Sequence, residues 1–150
     1  MAQAARKSSL LMYVFAFPML IVPFAIYNMI AYLLDTDFHL TVFSVPLISG
    51  HSMQVSTGDV LVLFGVILLY VEILKSTRFS SKAIVDHVLS IILFIAMMVE
   101  FIVAEKAATS TFLILTALSF VDVVGGFTIT IRTAQRDVSF DGAEGRTAGG

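Results

Sequence analysis

Five ionisable residues stand within or beside long apolar runs of this 150-residue chain, and they are where the sequence could do chemistry. A charged group is costly in an apolar medium, so acids and histidines placed there default to a role in proton or ion movement. Carboxyl groups spaced along a bundle can pass a proton stepwise, because each can take it up and release it. The candidates for such a proton or cation path are Asp122, Glu100, Asp86, Glu72 and His87.

Asp122 is the deepest candidate, ten residues before Arg132. That separation is ~15 Å along a helix, close to the middle of a bilayer if the arginine marks the edge. Ser119 and Gly126 share its helix face, and Gly125 adjoins it, so small residues there would let another helix approach closely. Two readings stay open: a proton or cation site, or a protonated side chain that hydrogen-bonds across a helix contact.

Asp86 and Glu100 are fourteen residues apart, which places them within about 40° of each other around a helix. Ser90 and Met97 fall on the same stripe, so this helix has a sparse polar face that should turn inward. With Asp122, these acids could mark a path of carboxyl groups across a bundle. Alternatively, Asp86 lies near a helix start as a cap, and Glu100 extends outward to the interface.

Glu72 follows Gly58 and Gly65 at intervals of seven, which predicts a narrow helix face suited to close packing, with Gly65 as its central contact. Lys75 lies three residues later, and a structural ion pair is the favoured interpretation.

Glu72 and Asp86 are each seven residues from Phe79, and His87 adjoins Asp86. These three side chains could therefore form one polar cluster that takes up protons or a metal. The alternative for His87 is an ordinary hydrogen-bonded side chain.

Composition excludes several function classes. Charged residues make up 13% of the chain, against about 25% in soluble domains, which is too few to build a surface that faces water. The absence of cysteine removes disulfides, thiol chemistry and thiolate metal sites. The net charge of -2 argues against nucleic acid as a partner. No nucleophile–base pair, phosphate loop or zinc pattern occurs, so we expect no enzyme activity, no cofactor and no metal.

Four apolar runs must position these residues, and each predicts a membrane-spanning helix because a bilayer core needs roughly 20 apolar residues. Pro18 and Pro23 predict a kink in the first run. The second run is the shortest, and an interfacial or re-entrant helix is its alternative. Short connections should make the second and third helices, and the third and fourth, antiparallel neighbours. The predicted spans are about residues 10–34, 58–75, 83–104 and 110–131.

The fold class is therefore an all-α membrane protein, a four-helix transmembrane bundle over residues 1–132. Residues 133–150 are polar and rich in glycine and alanine, and they predict a disordered cytoplasmic tail.

Basic residues predict the orientation. Positive charge is retained in the cytoplasm, and eight of the nine Lys and Arg fall on one side of the predicted spans. Both termini should then be cytoplasmic, in the cell's inner membrane, with only Lys106 on the opposite side. The eight are Arg6, Lys7, Lys75, Arg78, Lys82, Arg132, Arg136 and Arg146.

The segment between the first two spans predicts a small extracytoplasmic β-hairpin. Residues 40–45 are rich in β-branched and aromatic side chains, residues 52–56 alternate polar with apolar, and a turn-rich gap separates them. The alternative is an irregular loop whose apolar side chains dip into the membrane interface.

Two classes of function follow. The first is a non-catalytic accessory or scaffold subunit, or a homo-oligomer, with the lipid bilayer and a larger membrane protein or further copies as partners. The second is a proton- or cation-coupled transporter or channel subunit that uses the buried carboxyl groups. Convergence of Asp122, Glu100 and Asp86 on one cavity would favour the second class, and separate helix contacts would favour the first.

Overall fold

A computed structural model describes residues 17–76 and 82–147, with the backbone alone at positions 82–84, 129, 130 and 132–147. The described chain is mostly helical and includes one two-stranded antiparallel sheet. Its helices are α1 (Ile21–Asn28), α2 (Thr57–Ser76), α3 (Lys82–Val103) and α4 (Ser110–Thr147), and its strands are β1 (Thr41–Pro46) and β2 (Ser52–Ser56). Arg6, Lys7, Arg78, Phe79 and residues 10–16 and 148–150 lie outside the described residues.

Three helices in the described part of the chain are long and apolar enough to cross a membrane. They cover Thr57–Ser76, Val85–Val103 and Ser110–Thr128, with 20, 19 and 19 residues. At their usual rise such helices are about 30 Å long, the thickness of a bilayer core. These three helices confirm the apolar helices predicted for the second, third and fourth runs.

The first apolar run differs from its prediction within residues 17–34. The apolar helix Ile21–Leu34 has 14 residues, which is about 21 Å. Pro18 precedes it, and Pro23 lies in its first turn, where a missing N–H breaks no helical hydrogen bond. Neither proline therefore interrupts this helix. The irregularity comes instead at its end, where Met29–Leu34 widen into a π-helix that stops at Asp35, a residue with φ 48°.

The longest helix, α4, organises the packing. Both α2 and α3 pack chiefly on α4, while α1 packs on α2. The third and fourth runs are neighbours as predicted, but the second and third are not the main partners of each other. The reason lies in the glycine face of α2: the absent side chains of Gly58 and Gly65 bring α2 against Thr111 and Leu115 of α4.

The hairpin prediction is confirmed. Strand β1 pairs antiparallel with β2 in a register that sets Phe43 opposite Val55 and Val45 opposite Met53, with an irregularity between Thr41 and Phe43. The strand boundaries lie within one residue of the predicted runs.

The end of α4 differs from the predicted tail. The helical backbone continues through residues 133–147, where the sequence predicts no regular structure. Extending an existing helix adds one hydrogen bond for each residue ordered, so continuing a helix costs far less free energy than starting one.

Crowding at Gly65 should be destabilising. A Cβ there would stand 2.9 Å from Leu115 Cδ2 and 3.2 Å from Leu118 Cδ1, whereas a Cβ at Gly125 would meet nothing within 4 Å. We expect Gly65→Leu to lower the free energy of unfolding in detergent by about 1–3 kcal/mol through overpacking. Gly125→Leu is the matched control, with the same gain in helix propensity. Equal thermal midpoints for the two variants would contradict this packing.

Candidate functional site

Lys75 is the centre of a charged cluster at one end of the bundle. Its ammonium nitrogen lies 2.7 Å from Glu72 Oε1 on the same helix and 3.0 Å from Asp86 Oδ2 on α3. It also donates a hydrogen bond of 3.1 Å to the Phe17 carbonyl. Together with Met19, these residues form what we call the Lys75 cluster, which joins α2, α3 and the segment leading into α1.

The second carboxylate oxygen of Glu72 is also satisfied, because the Met19 backbone N–H donates to Glu72 Oε2 at 2.9 Å. Glu72 is 2% exposed. A buried carboxylate is tolerated only where cations and N–H groups compensate for its lost hydration. The predicted ion pair between Glu72 and Lys75 is confirmed. The sequence offered no signal for the contacts with Phe17 and Met19, which are made by backbone atoms.

Asp122 lies beside the Lys75 cluster. It is buried, it shares a hydrogen bond with Ser90 of α3, and it lies within electrostatic reach of Asp86, Lys75 and His87. The structure thus brings four of the five candidates, Glu72, Asp86, His87 and Asp122, to one end of the bundle.

His87 fills the notch that the small residues of α4 create. A Cβ at Gly126 would collide with the imidazole, and the ring packs edge-on against Phe127 at 4.6 Å between centroids. The notch at Gly126 therefore receives a side chain and not another helix backbone. Gly125 has no such neighbour. The Nε2 atom of His87 and the hydroxyl of Ser119 are buried without a hydrogen-bond partner among the described residues.

Glu100 stands apart from the other candidates. Asn28 Nδ2 of α1 lies 3.4 Å from Glu100 Oε2, and this contact links α1 to α3. The same amide donates at 3.2 Å to the Phe24 carbonyl within α1. Fourteen residues of helix separate Glu100 from Asp86, about 21 Å. The stripe that contains both acids faces the protein as predicted, but its two ends serve different helix contacts.

Lys106 is the centre of a second cluster, at the end where α1 and its π-helical extension stop. Its ammonium donates to the Ala31 carbonyl at 3.0 Å and lies 2.6 Å from Asp35 Oδ1. The Tyr32 ring centroid is 5.6 Å away. The hydrogen bond and positive charge of Lys106 hold the pKa of the Asp35 carboxyl below its ordinary value. A cation suits this position, because the last carbonyls of a helix are unpaired and carry partial negative charge.

Tyr27 ties the Lys106 end to the core. It is fully buried, and its hydroxyl donates to the Lys106 carbonyl at 2.8 Å and lies 2.7 Å from Thr109 Oγ1. Its ring stacks on Phe38 at 4.3 Å and meets Phe112 edge-on at 4.7 Å. Sequence reasoning missed this residue, because a tyrosine in an apolar run is equally typical of a membrane interface.

Neither cluster gathers a metal-binding set. Among the side chains that the structure describes, no three His, Cys, Asp or Glu come together in that way. An open cleft of about 290 Å³ lies beside Lys106. The acids Asp35 and Asp37, the base Lys106 and the imidazole of His39 line it.

Comparison with known proteins adds nothing to this geometry. The chain matches no protein-family model, no curated protein and no solved structure.

Removing the Lys75 ammonium should destabilise the protein. We expect Lys75→Met to lower the free energy of unfolding in detergent by about 3 kcal/mol, because two buried carboxyl groups lose their common cation. Lys106→Met is the matched control, since that lysine and Asp35 are 43% and 83% exposed, and an exposed pair contributes about 1 kcal/mol or less.

Adding Glu72→Gln and Asp86→Asn to Lys75→Met should recover part of the loss, because the two carboxylates that Lys75 paired are then neutral. Equal thermal midpoints for Lys75→Met and Lys106→Met would contradict the structural role of the cluster.

Proposed function

We propose that this chain is a non-catalytic integral membrane protein, an accessory or scaffold subunit that packs through its helices against further copies of itself or a larger membrane protein. In this proposal it crosses the inner membrane four times with both termini in the cytoplasm. The charge asymmetry of the sequence supports that orientation, and the three apolar helices of spanning length support membrane placement.

One observation carries the proposal: acids of the apolar helices are engaged in helix-to-helix contacts. Glu72 and Asp86 share Lys75, while Glu100 meets Asn28 about 21 Å away along α3. Groups engaged in this way hold helices together. Their separation into two ends of the bundle favours a structural role over a continuous relay of carboxyl groups.

The outer face of α3 suggests how the chain packs against a partner. Six β-branched residues recur there at alternating intervals of three and four, and all are 48–73% exposed. This is the spacing with which one helix packs along another, and β-branched side chains lose little rotamer freedom on packing. We call it the α3 stripe. Its members are Val85, Val88, Ile92, Ile95, Val99 and Ile102.

A second function, proton or cation movement, has one observation in its favour. Asp122 adds a third carboxyl group beside the ammonium of Lys75, the one cation that the described side chains place there, so a proton or cation could complete the balance of charge. Ser119, whose hydroxyl has no partner among the described residues, lies three residues before Asp122 on α4. His87 of α3, whose Nε2 likewise has none there, lies within electrostatic reach of Asp122.

The assembly proposal is tested on protein purified in mild detergent. Native mass measurement should show a species heavier than the 16.3 kDa chain. Because the chain has no cysteine, Ile92→Cys can report contact at the α3 stripe by disulfide formation between copies. Ile67→Cys on α2, where the side chain is 60% exposed, is the control and should remain uncrosslinked. A heavier species containing another protein would support the accessory form, and a lone 16.3 kDa chain would contradict both forms.

The two functions are separated by a flux measurement in proteoliposomes. Under the scaffold proposal, wild-type protein and Asp122→Asn should give the same proton flux as protein-free vesicles, because Asp122 serves only a helix contact. Glu105→Gln, outside the apolar helices, controls for the loss of one acid. Wild-type flux that Asp122→Asn alone abolishes would overturn the scaffold proposal in favour of transport.

A further inference from the structure

The β-hairpin lacks the charges that a structure exposed to water normally carries. Residues 40–56 contain no Asp, Glu, Lys or Arg, although acids flank the segment at Asp37 and Asp59. A lone two-stranded hairpin is marginally stable in water even with a favourable surface. This segment therefore needs a surface that accepts apolar side chains.

The hairpin has two different faces. The pairs Phe43 with Val55 and Val45 with Met53 lie directly opposite one another, so their side chains share one face. Three of these four residues are 39–54% exposed, and only Val55 is buried. The pairs Ser44 with Gln54 and Pro46 with Ser52 lie on the opposite face, and Val42 lies where the register is irregular.

The tip of the hairpin extends the apolar face. The Gly50 N–H donates to the Leu47 carbonyl at 3.0 Å, and φ of 82° at Gly50 lets the chain reverse there. This tight turn leaves Ile48 fully exposed and Leu47 46% exposed.

The base of the hairpin is fastened where the apolar helices end. Thr57 N–H donates to the Leu40 carbonyl, and Gly58 N–H to the Phe38 carbonyl, both at 2.9 Å. The Phe38 ring stacks on the buried Tyr27. The hairpin therefore begins and ends at the boundary of the helices that would cross the membrane, and it cannot move far from the bilayer surface.

From these observations we propose that the apolar face and tip of the hairpin insert into the interfacial layer of the same bilayer. This inference rests on the proposed membrane placement of the helices. Amphipathic elements at an interface bury their apolar side roughly 5–10 Å into the boundary between headgroups and acyl chains. The polar side with Ser44 and Gln54 then faces water. The segment suits this layer, because its insertion requires no Asp, Glu, Lys or Arg to lose its hydration, and His51 is its one ionisable side chain.

Single tryptophans can test the insertion, because the chain contains none. We would compare Ile48→Trp at the tip, Ser44→Trp on the polar face and Ile67→Trp in the middle of α2, all at exposed positions. Each is reconstituted into vesicles with lipids brominated close to the glycerol or close to the chain end. Ile48→Trp should lose fluorescence most with the shallow bromine, and Ile67→Trp with the deep one. Ser44→Trp should be quenched by acrylamide from the water and little by either lipid.

The outcomes test the insertion of the hairpin and the membrane placement of the helices separately. Quenching of Ile67→Trp without quenching of Ile48→Trp would overturn the insertion and leave the spans intact. A tip tryptophan shielded from both bromine and acrylamide would also overturn it, since protein would then cover the tip. An unquenched Ile67→Trp would overturn the membrane placement itself, and the insertion with it.

Discussion

The arrangement of the helices depends most on the ion pairs that the ammonium group of Lys75 makes. Two carboxylates from different helices, Glu72 and Asp86, share it, and the Phe17 carbonyl completes its hydrogen bonds. Separating these groups in an apolar medium would leave unpaired charge, which is far costlier there than in water. Since α2 and α3 pack chiefly on α4 and less on each other, this polar bridge fixes their relative position where apolar packing does not.

The other end of the bundle is held by neutral groups and one exposed ion pair. Tyr27 is buried between Phe38 and Phe112, and its hydroxyl satisfies the Lys106 carbonyl. Lys106 in turn donates to the Ala31 carbonyl near the end of the first apolar helix and pairs with Asp35. Polar contacts thus link the helices at both ends of the bundle, and the hairpin is attached at the Tyr27 end. The polar groups of the Lys75 cluster and of the Tyr27 end are engaged within the chain, which is consistent with the proposed role as a packing partner.

Much of this could be predicted because it depends on local spacing. The interval of three between Glu72 and Lys75 predicts their ion pair, and the β-branched run before Pro46 predicts a strand. The pairing of α3 with α4 was predicted, but the packing of α2 on α4 in place of α3 could not be, since connection length constrains only helix ends while glycine contacts decide which faces approach. The π-helical end of the first apolar helix was also missed. Its backbone is set by the Lys106 and Tyr27 contacts, about 75 residues distant in sequence, which no local pattern records.

The sequence by itself determined that the chain forms apolar helices long enough to cross a membrane. These helices follow from properties of the linear sequence: apolar runs of spanning length, few charges and an asymmetric distribution of lysine and arginine. Each depends on the preference of single residues for water or an apolar medium. Only the tertiary structure decided how the acids are used. Asp86 became a partner of Lys75, Glu100 a partner of Asn28, and Gly126 a recess for His87. These pairings depend on the distance and rotation between helices, which arise from packing over the whole bundle.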